Sequence, residues 1–358
     1  MMSTYHFRQI YIVLLLLLPL STMLAPFSAR SQGGFVLAWG DDGYGQTDVP
    51  AEATNIVAIS AGYRHSVALR ADGTVIGWGQ LGAPSDATNI VAIDAGLFYD
   101  IAVRADGTVF GWGDNYYGQL NVPANATNVI AISAGTGHNI ALRADGSIVA
   151  WGWNGFGQIN VPASATNVVA VAAGSDFSLA LRADGVLIRW GTGGAPATNE
   201  GLFAIAAGYW DGMALQSNGI VAGTSFSNAV SVAAGDYHKL ALLADGSVVA
   251  WGQNTYGQTN VPMEATNVIA IAAGSYHNLA IVGPIVSAPL SIPYQVANGL
   301  AIKLPTLRGR RYLVDRKHDL RESNWQVWQR IVGDGITRQL LVQSTDSDRA
   351  FFRARQIP

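Results

Sequence analysis

Four histidines occupy one position of a repeated sequence. His65, His138, His238 and His277 each stand three residues after the glycine of an Ala-Gly pair. Histidine can move protons and bind metals near neutral pH, so what these four could do depends on where the fold puts them. They belong to different copies of the repeat, and a ring of such copies would hold them apart. A shared metal site is therefore not expected, and their expected role is to hydrogen-bond loop backbone. Asp72, Asp106, Asp145, Asp184 and Asp245 each precede a glycine and read as turn formers. No nucleophile elbow, phosphate loop, pair of catalytic carboxylates or His-rich metal motif is present. The chain has no cysteine, which excludes disulfides and thiolate chemistry. The expectation is a non-enzymatic protein with no cofactor and no metal.

Its chemistry-bearing surface is aromatic. Tyr63, Phe98, Tyr99, Tyr116, Tyr117, Trp153, Phe156, Phe177, Tyr209, Trp210, Tyr237, Tyr256 and Tyr276, with Tyr44, fall in two kinds of loop. Asp41, Asp42, Asp100, Asp114, Asp176, Asp211 and Asp236 are interspersed among them. Tyr and Trp are enriched at binding hot spots, so these loops are the expected site for a protein or glycan partner. The aromatic that precedes each Gly-Gln (Tyr44, Tyr117, Phe156, Tyr256) recurs at a fixed position and either packs between repeats or binds. The Trp of each Trp-Gly pair reads as scaffold.

The elements that must position these loops come from the repeat. Ala-Gly recurs with glycine at 62, 96, 135, 174, 208, 235 and 274, and Trp-Gly with tryptophan at 39, 78, 112, 151, 190 and 251. In a seventh copy, Ala222-Gly223, the Trp is lost and so is the Gly-Gln-x-x-Val-Pro connector. That copy is expected to be the weakest. The unit 128–162 parses into four strands: Val129–Ser133, His138–Arg143, Ser147–Trp151 and Gln158–Val161. Four strands every ~40 residues is the pattern of a propeller blade. Residues 35–50 supply the end of a blade and 268–282 its beginning, so one blade is expected to mix both ends of the repeat region and close the ring without a free edge. Strand direction reverses at each turn. The turns after the first and third strands therefore share one face, which carries the aromatic residues.

The pattern Ala-Gly-x-x-His-Ser-x-Ala-Leu-x-x-Asp-Gly-x-Val-x-x-Trp-Gly-x-Asn-x-x-Gly-Gln is carried by His65-Ser66-Val67-Ala68-Leu69 and by Trp112-Gly113-Asp114-Asn115 through Gly118-Gln119. It resembles the regulator-of-chromosome-condensation repeat and spans residues 35–282, about 70% of the chain. The short blades ending in Gly-Gln-x-x-Val-Pro more closely resemble bacterial secreted propellers, among them the propeller-type β-lactamase inhibitor. The resemblance implies an all-β, seven-bladed propeller. It also suggests inhibition of a secreted enzyme such as a β-lactamase as one role. A polysaccharide-active enzyme is a second reading, and the lack of paired acids argues against it. Guanine-nucleotide exchange or chromatin binding, as in eukaryotic members, is a third.

Charge and the chain ends bear on that last reading. Residues 32–282 hold seven Lys/Arg against 18 Asp/Glu, whereas 283–358 hold 12 against six. A propeller of net charge −11 is poorly suited to nucleic acid. Residues 1–31 read as a signal peptide, with Ile10–Leu20 as the apolar run and Ala29-Arg30-Ser31 as the cleavage site. The expected organisation is signal peptide 1–31, propeller 32–283, linker 284–293 and a small β-sandwich-like domain 294–358. In that last domain Leu300–Leu304, Tyr312–Asp315, Trp325–Ile331, Arg338–Gln343 and Ala350–Ala354 read as strands. A secreted, periplasmic or cell-surface monomer follows, with no integral membrane segment after cleavage.

Overall fold

The structure, a computed structural model, describes residues 34–193 and 201–283 and the backbone of further strands between 294 and 357. The expected signal segment 1–31 and linker 284–293 lie outside the described residues.

The described residues form strands and turns without a helix. β1 (Phe35–Gly40) comes first. Then follow β2 (Ile56–Ala61), β3 (His65–Arg70) and β4 (Val75–Gly79), then β5 (Ile90–Ala95), β6 (Tyr99–Arg104) and β7 (Val109–Gly113). Next are β8 (Val129–Ala134), β9 (His138–Arg143) and β10 (Ile148–Gly152), and β11 (Val168–Ala173), β12 (Phe177–Arg182) and β13 (Leu187–Gly191). β14 (Leu202–Ala207) and β15 (Gly212–Gln216) stand as a pair. β16 (Ala229–Ala234), β17 (His238–Leu243), β18 (Val248–Gly252), β19 (Val268–Ala273) and β20 (His277–Val282) complete this region. Each run of three is an antiparallel meander, named here by its middle strand, and β15 names the two-stranded sheet. The β20 sheet takes its third strand from the other end of the region: β1 pairs along its length with β20, from Phe35↔Val282 to Gly40↔His277.

These are the repeated three-stranded sheets of a propeller-type fold, with one correction. The expected fourth strand, Gln158–Val161, is a run of turns. Its β-branched residues suit a strand, but its backbone hydrogen bonds go into a tight local turn.

The first strands neighbour one another in sequence: β2 beside β5, then β8, β11, β14, β16 and β19, with β19 also beside β2. Each carries a bulge one residue in, as at Val129/Ala131, which sharpens twist where strands crowd. Before each first strand an asparagine turns the chain. Asn55, Asn89, Asn128, Asn167, Asn228 and Asn267 have φ of 52–62°, and Gly201, with φ 67°, stands in the remaining place. Asparagine tolerates this left-handed region, and the freed carbonyl receives the N–H that follows the second strand, as in Ala71 N–H to Asn55 O at 2.9 Å.

Packing runs from sheet to sheet. Tyr99, Ile101 and Val103 of β6 are buried with Val129, Ile132 and Trp151 of the next sheet, and Leu279 and Ile281 of β20 with Ile56, Ala68 and Trp78 of the β3 sheet. A girdle of side-chain pairs joins neighbours at the start of the second strands. His65 Nε2 lies 3.0 Å from Asp100 Oδ1, Tyr99 donates to Asn139 Oδ1 at 3.0 Å, and His138 Nε2 lies 3.0 Å from Ser178 Oγ. Asp211 meets Lys239, His238 Nε2 lies 2.6 Å from Asn278 Oδ1, and His277 Nε2 lies 2.9 Å from Ser66 Oγ. The histidines therefore couple one sheet to the next through side chains, not to loop backbone as expected from sequence.

Beyond residue 293 the strands are β21 (Tyr294–Val296), β22 (Gly299–Pro305), β23 (Arg311–Lys317), β24 (Gln326–Val332), β25 (Thr337–Val342) and β26 (Phe351–Ile357). They form two antiparallel sheets, ordered β21-β22-β25 and β24-β23-β26. The expected strands overlap these, and their ends at Trp325, Gln343 and Ala350 lie outside the described residues.

Candidate functional site

The site is built by two loops of each repeat. The Ala-Gly loop joins first to second strand. The glycine has no substitute in this place: a Cβ on Gly135 would collide with the carbonyl oxygen of Gly174 in the next sheet. Neighbouring loops are stitched main chain to main chain, as in Ser175 N–H to Tyr209 O at 3.2 Å and Ser275 N–H to Gly62 O at 3.1 Å.

The second loop follows Trp-Gly and, in the four repeats where it ends in Gly-Gln, acts as a latch. It starts on the first loop of its own sheet, since Trp153 N–H donates to Gly137 O at 2.8 Å. Gly152, at φ 99°, permits that approach: a Cβ there would lie 2.5 Å from the same oxygen. The turn then holds itself. Asn154 Oδ1 accepts from Ile159 N–H at 3.2 Å, Asn154 Nδ2 donates to Asn160 Oδ1 at 3.0 Å, and Gln158 Oε1 accepts from Phe156 N–H at 2.9 Å. With these bonds made internally, the main-chain carbonyl of Gln158 faces the next sheet. It receives Trp190 Nε1 at 2.7 Å and Ser178 Oγ at 2.8 Å. Gln46, Gln119 and Gln258 do the same for Trp78, Trp151 and Trp39. The recurrent Trp is thus scaffold, as read from the sequence, and in these four its N–H clamps the preceding repeat.

The two loops bring most of the named aromatic residues together. In one cluster Tyr63 meets Phe98 at 5.4 Å and Tyr276 at 5.9 Å, Tyr276 meets Tyr256 at 5.2 Å, and the Arg64 guanidinium lies 4.0 Å over Tyr44. In a second, Tyr117 stacks on Trp153 at 5.2 Å, flanked by Tyr116 and Phe156. In a third, Tyr209 and Trp210 lie 4.7 Å apart. Edge-to-face and offset contacts of this kind hold rings rigid. Phe98, Tyr116, Tyr117, Phe156, Trp210, Tyr237 and Tyr256 are exposed, Tyr116 at 82% and Trp210 at 53%. Tyr63, Trp153, Tyr209 and Tyr276 are half-buried.

Two of the named residues are not on this surface. Tyr99 and Phe177 are fully buried, because they occupy the histidine position, three residues after the glycine, where the side chain turns into the sheet-to-sheet contact. Asp100 is buried beside them; burial pushes its carboxyl up, and His65 draws it back.

Beside the third cluster a cavity of about 440 Å³ opens, lined by Trp210, Asp211, Asp236, Tyr237, Lys239, Trp251 and Gly252. Burial raises the Asp236 carboxyl to about 6, against a hydrogen bond from Ser275. Lys239 and Trp251 were not singled out from the sequence. The signal was there, since Lys239 is the only lysine before Lys303 and falls where four of the other repeats carry Ser or Asn. Asp94 was also missed: its carboxylate accepts Ser60 Oγ at 2.6 Å and Ala134 N–H at 2.8 Å, bridging the sheets on either side. Among the described residues, no three His, Asp or Glu side chains are grouped to hold a metal ion.

Residues 56–80, 90–119, 129–158 and 229–258 match the Regulator of chromosome condensation (RCC1) repeat. The chain carries RCC1 repeats. The RCC1 repeats account for the β3, β6, β9 and β17 sheets, and the structure gives the β12 and β20 sheets the same strand order. No curated protein matches the chain. Among solved structures it is similar to Prp20p of Saccharomyces cerevisiae, at 16% identity and a TM-score of 0.58, over 70% of this chain and 91% of that one. It is similar to human WBSCR16 at 17% and 0.57, over 72% and 100%. It is similar to the ectodomain of the Arabidopsis thaliana receptor kinase ACR4 at 18% and 0.53, over 63% and 90%. These likenesses carry the RCC1-type propeller fold and no more.

Proposed function

We propose that this chain is a non-enzymatic binding protein of the cell exterior or envelope, a closed ring of seven blades whose aromatic loop face holds a partner protein. Three ring clusters on the loops of one face carry the reading, because rigid, exposed Tyr and Trp bury large area on association at low entropic cost. Closure is supported by β1 completing the β20 sheet and by the return of the first-strand series from β19 to β2. RCC1-type propellers are protein-binding scaffolds, and the yeast structure is described with binding to Gsp1p and histones. The net charge of −11 over residues 32–282 disfavours a nucleic-acid partner.

The test is capture from culture and envelope extract with the immobilised full chain. Trp153 is held between Tyr117 and Phe156, so the informative pair is Tyr116→Ala with Trp210→Ala. The pair should weaken retention of the captured protein by tenfold or more, as losing exposed anchors worth about 2 kcal/mol would, while the melting temperature stays put. Glu52→Ala with Glu264→Ala, both exposed on the other face, should change nothing. Loss of capture in the glutamate pair alone would place the interface on the wrong side and end the proposal.

A further inference from the structure

Four grooves between neighbouring sheets are filled by the chain itself. In each, one latch carbonyl takes two donors from the next sheet. Gln119 O receives Trp151 Nε1 at 2.9 Å and Asn139 Nδ2 at 2.7 Å, and Gln258 O receives Trp39 Nε1 at 3.1 Å and Asn278 Nδ2 at 2.7 Å.

The groove between the β15 and β17 sheets keeps both donor positions and lacks the latch. After β15 the chain turns back at once, with Thr224 N–H on Val221 O, and never forms the Asn-x-x-Gly-Gln turn. Trp251 stands where Trp151 stands, and Lys239 where Asn139 stands. The Trp251 indole N–H makes no hydrogen bond among the described residues, and Phe226 packs on its ring at 4.9 Å. Lys239 gives one of its three donors to Asp211 and keeps two. The space a latch would take is the cavity of about 440 Å³, with Trp210 and Tyr237 exposed at its rim.

We propose that this groove is a docking site for a tight turn of a partner protein, entering as the missing latch would and setting a main-chain carbonyl on Trp251 Nε1 and the Lys239 ammonium. The proposal rests on the reading of this face as a protein-binding surface and names the contact that would anchor it. The site offers two donor side chains from paired positions of one sheet, lining one cavity, and it takes an acceptor. The four filled grooves show what such an acceptor is in this fold: a peptide carbonyl on a turn whose main-chain N–H groups are already bonded within it, as Tyr256 N–H is to Gln258 Oε1 and Thr259 N–H to Asn254 Oδ1, so that little main-chain desolvation cost remains on entry.

The probe is a head-to-tail cyclised peptide carrying the latch sequence of Asn254–Pro262, titrated into the full chain with ¹⁵N-labelled indoles. The Trp251 resonance, assigned by its loss in Trp251→Phe, should move saturably. Lys239→Ala should weaken binding at least tenfold. Lys239→Asn, which restores the residue of the filled grooves, should bind within about threefold of the parent. A scrambled cyclic peptide should not bind. A Trp251 resonance unmoved at millimolar peptide overturns the proposal, and so does movement that Lys239→Ala leaves intact. Movement by chitin or cellulose oligosaccharides instead of the peptide would make the groove a glycan site. Concentration-dependent dimerisation that blocks the peptide would make a second copy the occupant. Either result also overturns it. If the peptide fails while Tyr116→Ala still loses capture of the partner, the groove falls and the broader reading of the face stands.

Discussion

The groove between the β6 and β9 sheets and the groove between the β15 and β17 sheets are built on one plan. In the first, the Gln119 carbonyl is enclosed by Trp151 and Asn139. In the second there is no carbonyl, and the residue that would have donated to it is a lysine paired with Asp211. The same contrast recurs around the molecule. Where a latch is present the donor is neutral: Ser66, Asn139, Ser178 or Asn278. Where the sequence has neither an Asn-x-x-Gly-Gln turn nor its Asp42 counterpart, the position holds Asp100, Gly212 or Lys239. A buried amide or hydroxyl without its acceptor costs about 1–3 kcal/mol. Losing a latch therefore selects for a side chain that finds a partner in the previous sheet, as Asp100 does with His65, or for none at all. One missing turn changes both the stability of a groove and its chemistry.

The largest test of this comparison removes a latched groove outright. Deleting residues 32–50 takes away β1, the Gln46 latch and the pairing with β20, leaving strand edges open. The expected outcome is loss of the folded monomer, seen as aggregates or oligomers by size exclusion and loss of a cooperative melt. A monomer with an unchanged melt would mean that β1 is dispensable and the ring reading wrong.

Next comes a matched pair of substitutions. Trp151→Phe deletes the donor to Gln119 O and leaves a void in a buried site, for an expected loss of about 2–3 kcal/mol in urea unfolding. Trp251→Phe, in the unlatched groove, deletes an N–H that has no acceptor among the described residues and should cost about 1 kcal/mol or less. Equal costs would mean the clamp contributes little and the latch is filler.

What could be read from the sequence follows from how local each signal is. Asp-Gly turns, the Ala-Gly spacing and the second strand His138–Arg143 were readable because turn chemistry and alternation act over a few residues. The latch was misread as a strand because Ile159 and Val161 carry strand propensity, whereas the turn depends on side-chain bonds from Asn154 and Gln158. Tyr99 and Phe177 were placed on the surface by composition; their register, three residues after the glycine, matches the histidines and would have buried them. The bridging role of Asp94 and the groove around Lys239 depend on contacts between sheets, which no single repeat encodes.

A smaller effect separates the girdle from the latches. Burial pushes His138 and His277 down to about 3, and it lowers His238 against the hydrogen bond His238 donates to Asn278 Oδ1. The ordinary value is 6.5, so between pH 6.5 and about 3 the unfolded chain binds protons that the folded chain excludes. This stability is complete above pH 6.5 and is lost as pH falls, by about 1.4 kcal/mol per pH unit for each of His138 and His277. Asp236, raised from 3.8 to about 6, works the other way: its folded form takes up a proton in that window and offsets part of the loss. His138→Phe installs the residue that Phe177 supplies in the neighbouring sheet. It should flatten the fall in urea midpoint between pH 6.5 and 4.5 by one histidine's share. An unchanged slope would show that His138 titrates normally.

The smallest change compares latch with latch. In two of them an aspartate just after Trp-Gly holds the glutamine side chain: Asp41 Oδ2 accepts Gln46 Nε2 at 2.8 Å, and Asp114 Oδ2 accepts Gln119 Nε2 at 2.7 Å. In the other two that position is Trp153 or Gln253, and the Nε2 groups of Gln158 and Gln258 are buried without a partner. Gln253 is exposed and its amide is spent on Thr255, so replacing it disturbs no packing. Gln253→Asp should therefore give Gln258 the acceptor it lacks and raise stability by about 1 kcal/mol, a rise of about 2–4 °C in a domain of this size. Asp114→Gln should lose a comparable amount by orphaning Gln119. The two changes must move the melting temperature in opposite directions, because each converts one latch into the other kind. If both leave it unmoved, the side-chain bond is incidental, and the latch is held by the main-chain turn alone.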